Sequence, residues 1–297
     1  MSSSVEPVGA HSQGRSFKPS WSLRLGASPR GLALLRETGT TLVWDANNSL
    51  YLVSQGGELQ ARTTAGGAVT AACASDDGSA LAAVGERGEV WRLMPDLTPR
   101  GVVRLKQRAT ACAFDSFGQY LAVADSGGEL RIFNAAGKTV CRTSTPRPLF
   151  HLAFIPEQRL LVGCADFGFI GCYDLSGRCV WRDGFVSHVG GLAVNGDGSR
   201  IVLACFSDGM RCYGLEGKQA APTATDEPCR LVAMSYDGRR TVICGRGATI
   251  WFLDREGDIR TSHEFDATPT AVGMTPLADT LLAALSDERL IAVRLKS

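Results

Sequence analysis

The sequence predicts an all-β fold: a seven-bladed β-propeller with four antiparallel strands in each blade. Three observations predict it, namely a turn signal that recurs every 40 residues, four short apolar runs in each repeat, and an N-terminal run without a repeat of its own. Repeats of this length that contain four strands are typical of propeller blades. The chain has 297 residues, which is enough for one such domain.

The turn signal recurs at a constant interval along the whole chain. Segments such as DDG, SFG, GDG and YDG each separate two apolar runs. The seven copies are centred on Thr38, Gly78, Gly118, Gln158, Gly198, Gly238 and Ala278. A fixed period of this length indicates a repeat architecture in which each unit packs against its neighbours.

Each copy contains four short runs, which the third copy shows most clearly at residues 110–114, 120–124, 129–133 and 139–143. Short runs that alternate in polarity and end at Gly, Asn or Asp are typical of antiparallel strands rather than helices. The second run is the most apolar, so we expect it to be buried on both faces. The fourth run is the most polar, which suits an exposed outer edge.

The two ends of the chain complement each other. After the seventh turn signal only two runs remain, at residues 280–285 and 290–295, so the last copy lacks an outer strand. Residues 21–25 precede the first copy and have the phase of an outer strand. We therefore expect residues 21–25 to pair with residues 290–295 and to close the ring. The propeller is predicted to span residues 20–297, after a disordered N-terminal arm of residues 1–19.

The repeats resemble those of the WD-repeat family and of related bacterial propellers, over about residues 20–297. SDDGSALAAVG, DSFGQYLAVAD and NGDGSRIVLAC are similar to the family's Ser-Pro-Asp-Gly turn and the apolar strand after it. RIFNAAGK, GCYDLSGR and WFLDREG are similar to its Trp-Asp strand ending. Asp125, Asp166, Asp208 and Asp287 lie near the position of the family's inter-strand turn aspartate. The resemblance implies a propeller that serves as an interaction platform.

Composition bounds the location and the partners. The formal net charge of +1 gives no overall attraction to nucleic acid or anionic lipid. The sequence has no apolar run of about 18 residues, so we expect no membrane span. Its polar start lacks the apolar stretch of a secretory signal. Ten cysteines without such a signal favour free thiols in a reducing compartment, so we expect a cytoplasmic protein.

The residues that carry chemistry are few and scattered. The four histidines, His11, His151, His188 and His263, stand far apart in the sequence, and a single histidine without partners makes no catalytic unit. We find no nucleophile elbow, phosphate loop or metal-binding spacing. We therefore expect no enzyme activity, no catalytic residue, no cofactor and no metal.

The residues predicted to contact a partner lie in two classes of loop at one rim of the ring. These loops join the second run to the third, and the fourth run to the next copy; binding residues concentrate on such loops over a rigid scaffold. The candidates are Phe167, Phe169, Phe185, His188, Phe206, Arg108, Arg147 and Arg230. The aromatic residues belong to adjacent copies and are able to form one apolar patch. The alternative is that they fill gaps between blades, and that the arginines are simply solvated.

Three functions remain open at this stage. The first is a non-catalytic protein–protein interaction scaffold, a monomeric module within a larger complex of proteins. The second is a propeller enzyme or a small-ligand sensor that uses the central channel. The third is binding of nucleic acid or another polyanion at the basic rim, which predicts an affinity that falls steeply with salt. The near-neutral net charge disfavours the third, and the sequence does not identify the partner.

Overall fold

The computed structural model describes residues 18–220, 223, 225 and 227–295. The regular secondary structure of these residues consists of 26 β-strands, which confirms the all-β prediction. No segment of this described part is a helix with the length and apolar character needed to cross a membrane. The predicted N-terminal arm lies outside the described residues except for Lys18 and Pro19, and Pro19 already begins the first strand.

Hydrogen bonds join the strands into six antiparallel sheets, five with four strands and one with six. One sheet contains β2 (Pro29–Leu34), β3 (Thr41–Asp45), β4 (Ser49–Val53) and β5 (Leu59–Thr64). The next contains β6 (Val69–Ala74), β7 (Leu81–Gly85), β8 (Glu89–Leu93) and β9 (Pro99–Arg104). The third contains β10 (Ala109–Phe114), β11 (Tyr120–Asp125), β12 (Glu129–Asn134) and β13 (Thr139–Ser144).

The remaining strands form the six-stranded sheet and two further four-stranded sheets. The six-stranded sheet contains β14 (Leu149–Phe154), β15 (Leu160–Ala165), β16 (Phe167–Asp174), β17 (Cys179–Val194), β18 (Ile201–Cys205) and β19 (Gly209–Tyr213). Another sheet contains β20 (Leu231–Met234), β21 (Thr241–Cys244), β22 (Thr249–Leu253) and β23 (Ile259–Glu264). The last contains β24 (Pro269–Met274), β25 (Thr280–Leu285), β26 (Arg289–Arg294) and β1 (Pro19–Arg24).

The six-stranded sheet holds the strands of the fourth and fifth sequence copies, joined by one long strand. β17 has 16 residues; its part up to His188 pairs with β16, and its part from Val189 onward pairs with β18. The sequence predicted a loop where this strand passes from one copy to the next. The count of hydrogen-bonded sheets is therefore six rather than seven, because the ladder continues through the junction.

The fifth copy also departs from the four-strand pattern in the described part of the chain. Beyond β19, pairing consists of isolated bridges between Met210 and Thr223 and between Tyr213 and Gln219. Backbone bonds still link the segment to β19, as in the bond from the Ala220 N–H to the Cys212 carbonyl. Among the described residues of this copy, these isolated bridges stand where the other copies have a fourth strand.

Burial agrees with the predicted contrast between the second and fourth strands. Of the second strands, β7 and β18 are buried at every position. The fourth strands, such as β5 and β9, are mostly exposed. The described sheets therefore pack face to face through their apolar middle strands, as blades of a propeller do.

The predicted pairing of the two ends is confirmed. Trp21 pairs with Ala292 and Leu23 with Leu290, so β1 is the outer strand of the last sheet. The Trp21 indole N–H donates to the Gln55 carbonyl at 2.9 Å, in the turn between β4 and β5. A Cβ atom on Gly57 in that turn would lie 2.5 Å from the indole ring, so only glycine leaves room for it. The same strand thus completes the last sheet and contacts the first.

Hydrogen bonds also connect neighbouring sheets at one end of their innermost strands. The Thr70 hydroxyl donates to the Ala109 carbonyl at 2.8 Å, and the Thr110 hydroxyl donates to the Leu149 carbonyl at 2.6 Å. These contacts join β6 to β10 and β10 to β14, at the end of the strands where the connections between copies lie.

Candidate partner-binding surface

The loops of interest lie together because of the way an antiparallel meander folds. Successive hairpin turns stand at opposite ends of their strands, so the turn between the second and third strands shares its end with the connection to the next copy. We call this end the loop face. The turn between β15 and β16, the crossing within β17 and the turn between β18 and β19 all lie on it.

A large bulge shapes the loop face at the junction of the fourth and fifth copies. Phe167 pairs with His188 and Phe169 pairs with Gly184, so three residues of β17 stand opposite the single residue Gly168. Gly168 has φ +57°, and a Cβ atom there would lie 1.7 Å from the Phe185 carbonyl oxygen. Such bulges re-aim side chains. Here the bulge carries Val186, which is 93% exposed.

Aromatic rings from the two copies meet beside this bulge. Phe167 is 61% exposed, and its ring centroid lies 4.3 Å from that of His188, with a tilt of 56°. His188 is in turn 5.9 Å from the Phe206 ring, at 60°. Tilted contacts of this kind are favourable because ring edges are positive and ring faces are negative. The imidazole Nδ1 lies 3.3 Å from a carboxylate oxygen of Asp166, which helps to orient the ring.

An arginine stands at each end of these rings. The Arg147 guanidinium donates through Nη1 to the Phe167 carbonyl, and the Arg246 guanidinium carbon lies 6.0 Å from the centre of the Phe206 ring. These contacts link five residues in series: the Arg147 side chain meets the Phe167 backbone, and the other three contacts join side chains. We call the series Arg147–Phe167–His188–Phe206–Arg246 the aromatic stripe.

Two of the predicted aromatic candidates do not join the stripe. Phe169 is buried in the core formed by the third and fourth copies, only 7% exposed. Phe185 is half-buried, and the Arg211 guanidinium lies 4.4 Å from its ring centre. The surroundings of these two residues fit the alternative that the aromatic candidates fill gaps between blades.

The predicted basic candidates differ in exposure. Arg108 and Arg147 are exposed, whereas Arg230 is half-buried. Arg230 donates through Nη2 to the Pro269 carbonyl at 3.2 Å, and its Nε is buried without a hydrogen-bond partner. Arg230 thus connects two neighbouring sheets, while Arg108 and Arg147 face outward on the loop face.

His151 lies near the stripe but points into the protein. Its Nε2 lies 3.3 Å from the Val189 carbonyl oxygen, so the N–H at this nitrogen donates across the junction between the two copies. Burial lowers the pKa of His151 below its ordinary value, although this hydrogen bond and the charge of Asp166 oppose the effect. A neutral ring with one N–H suits the contact with a carbonyl.

Two further residues join the surface. The sequence already indicates that Arg246 lies on the same rim, because it follows Phe206 by one 40-residue period. Val186 gives no such signal, because its exposure depends on the bulge opposite Gly168.

Within residues 18–220, 223, 225 and 227–295, no group of three or more His, Cys, Asp or Glu side chains is arranged to hold a metal ion. The ten cysteines are all free thiols, and only Cys179 among them is classed as exposed. The sequence matches no family model, and no curated protein is significantly similar to it.

Proposed function

We propose that this protein is a non-catalytic protein–protein interaction scaffold, a module of a larger complex, and that the aromatic stripe is its binding surface. One observation carries the proposal: Phe167 stands 61% exposed on the loop face, in contact with His188 and within a continuous series flanked by arginines. Aromatic residues and arginine are enriched at the centres of protein interfaces.

The proposal includes a complete ring of seven blades. We count the six-stranded sheet as two blades that share β17, because its strands belong to two of the seven 40-residue copies. The pairing of β1 with β26 and the packing of β2 against β24 support closure between the last blade and the first. A closed ring holds its loops in fixed positions, which suits a preformed binding surface.

The resemblance of the turn-and-strand segments to WD repeats supports the assignment as an interaction platform. A cytoplasmic location is part of the same proposal. Its support is the set of ten free thiols, eight of them buried, which are typical of proteins from reducing compartments.

The geometry favours recognition of a preformed surface over folding on binding. Phe167 pairs with His188, and the Phe185 carbonyl lies close against Gly168, so the bulge is part of the strand ladder. Exposed apolar side chains on an already ordered backbone lose less conformational entropy on binding than those of a segment that must first fold. We therefore propose Phe167 and Val186 as the contact centre.

Affinity capture from a lysate of the native host tests this proposal. We compare the wild type with Phe167→Ser and with the matched control Phe117→Ser. Phe117 is also 61% exposed, but it lies in the turn between β10 and β11, at the opposite end of the strands, beside a groove of about 240 Å³. We expect Phe167→Ser to lose the captured proteins and Phe117→Ser to retain them.

The two variants also separate the competing surfaces. Either substitution of an exposed phenylalanine should change the free energy of unfolding by less than about 0.5 kcal/mol. A variant that no longer captures proteins would therefore still be folded. Capture that survives Phe167→Ser but disappears with Phe117→Ser would move the binding site to the opposite end. Capture unchanged in both variants, or no specific partner at all, would contradict the proposal.

A further inference from the structure

We propose that the aromatic stripe recognises an acidic peptide segment with an apolar anchor, in which carboxylates flank an aromatic or aliphatic side chain. This inference rests on the proposed function and names the chemistry of the partner. It follows from the distribution of paired and unpaired charges on the loop face around Phe167.

Two carboxylates beside the stripe, those of Asp166 and Asp208, already have cationic or polar partners. The Asp208 carboxylate accepts from the Arg211 guanidinium at 2.6 Å. The Asp166 carboxylate lies 3.3 Å from the Nδ1 atom of His188. A cationic ligand would have to compete with both contacts, so these two acids do not form a free anionic site.

Three exposed arginines of the same region, unlike Arg211, are not paired with a carboxylate among the described residues. In the described part of the chain, Arg108, Arg147 and Arg246 form no ion pair. All three are exposed. Arg147 uses Nη1 for the Phe167 carbonyl, and a guanidinium has further N–H donors that match a carboxylate in geometry. The unpaired charge of the stripe is therefore positive.

The order of side chains along the stripe sets the pattern of the ligand. Arginines stand at the two ends, at Arg147 and Arg246, and the rings of Phe167, His188 and Phe206 lie between them. A segment lying along the stripe would place its apolar anchor on the rings and its carboxylates at the ends.

Nucleic acid fits this arrangement less well, although bases also stack on aromatic rings. A nucleic-acid backbone carries a phosphate at every step, so it would bring negative charge beside the carboxylates of Asp166 and Asp208 as well as beside the arginines. A peptide is able to place its acids only where the arginines stand. The structure therefore favours the peptide.

Selection from a phage-displayed library of random short peptides on the purified full-length protein tests the inference. We expect enriched sequences to contain Asp or Glu on both sides of a Phe, Trp or Leu. A synthetic peptide of the enriched sequence should bind the wild type, and its counterpart with Asn and Gln in place of the acids should bind at least about tenfold more weakly.

Charge reversal on the protein locates the interaction. The double variant Arg147→Glu and Arg246→Glu should weaken binding of the synthetic peptide by about tenfold or more. Arg255→Glu is the matched control, because Arg255 is exposed in the turn between β22 and β23, at the opposite end of the strands. It should leave the affinity unchanged.

The possible failures have separate meanings. Enrichment of neutral or basic peptides, no enrichment, or equal affinity for the amide counterpart would overturn the inference. Displacement of the peptide by oligo(dT), with oligo(dT) binding unaffected by Phe167→Ser, would assign the arginines to a polyanion instead. Capture of native proteins that depends on Phe167 would still support the proposed function after any of these results.

Discussion

The turn between β3 and β4 and the turn between β15 and β16 stand at equivalent places in the first and fourth copies, yet they use an aspartate in opposite ways. In the first, Asp45 is buried and accepts from the Asn47 and Ser49 N–H groups, both at 2.9 Å. It also accepts from the Tyr51 hydroxyl at 2.7 Å. The pKa of Tyr51 is raised, mainly by burial and secondly by this hydrogen bond to Asp45.

In the fourth copy, the position equivalent to Asp45 is Ala165, and the aspartate comes one residue later. Asp166 contacts His188 at the surface, with 44% of its side chain exposed. The next residue is Phe167, which is also exposed. A shift of one residue thus converts an internally bonded turn into one that presents its side chains outward.

This difference separates turns held by their own aspartate from the exposed turn at which we propose that a partner binds. Where the aspartate satisfies the backbone N–H groups of its own turn, as Asp45 and Asp125 do, the side chains are used to hold the hairpin. Where a bulge and a neighbouring strand hold the turn instead, its side chains are free to contact a partner. Two substitutions test this contrast.

The larger effect is expected at the turn held by its own aspartate. Asp45→Ala removes the acceptor for the buried Ser49 N–H, the Asn47 N–H and the buried Tyr51 hydroxyl, so it should lower the free energy of unfolding by about 3 kcal/mol. Urea denaturation measures the change. The matched control is Asp166→Ala, which should cost less than about 0.5 kcal/mol because its contact with His188 is exposed to solvent. Equal losses in the two variants would remove the distinction between the turns.

The smaller effect is expected at the glycine that supports the exposed turn. Gly168→Ala introduces a side chain at φ +57° and 1.7 Å from the Phe185 carbonyl oxygen. The variant should lose about 2 kcal/mol of stability in the same urea assay, and capture of partners should weaken because Val186 is displaced.

Gly184→Ala is the control for that substitution. Gly184 pairs with Phe169 at the edge of the bulge, and a Cβ atom on Gly184 would have its nearest contact at 4.0 Å. Its effect should stay below about 1 kcal/mol. A well-tolerated Gly168→Ala would show that the bulge does not depend on this backbone conformation.

Much of the fold could be predicted because local signals repeat. The turn residues fixed the ends of most strands, and the polarity of each run predicted its depth in the sheet. The phase of the run at Trp21 was enough to pair β1 with β26. Each of these predictions used either the residues within one run or the spacing between one run and the next.

The surface could be predicted only in part, because the bulge overrides the alternation of side chains along a strand. Phe167 and Phe169 are two residues apart and would share a face of a regular strand. Gly168 interrupts the alternation, so Phe167 is exposed and Phe169 enters the core. The sequence also did not predict that β17 is one continuous strand. Its hydrogen bonds depend on pairing with the distant β16, and the local sequence GFVSHVG does not indicate that pairing.

A photo-crosslinking residue at position 186 tests the central claim most directly. Val186 is 93% exposed at the tip of the bulge, and Leu277, 86% exposed in the turn between β24 and β25 at the opposite end, is the matched control position. Crosslinking in the native cell, followed by mass spectrometry, should give specific protein adducts from position 186 and none from position 277. Adducts from position 277 alone, or no adducts from position 186, would contradict the assignment of the aromatic stripe as the binding surface.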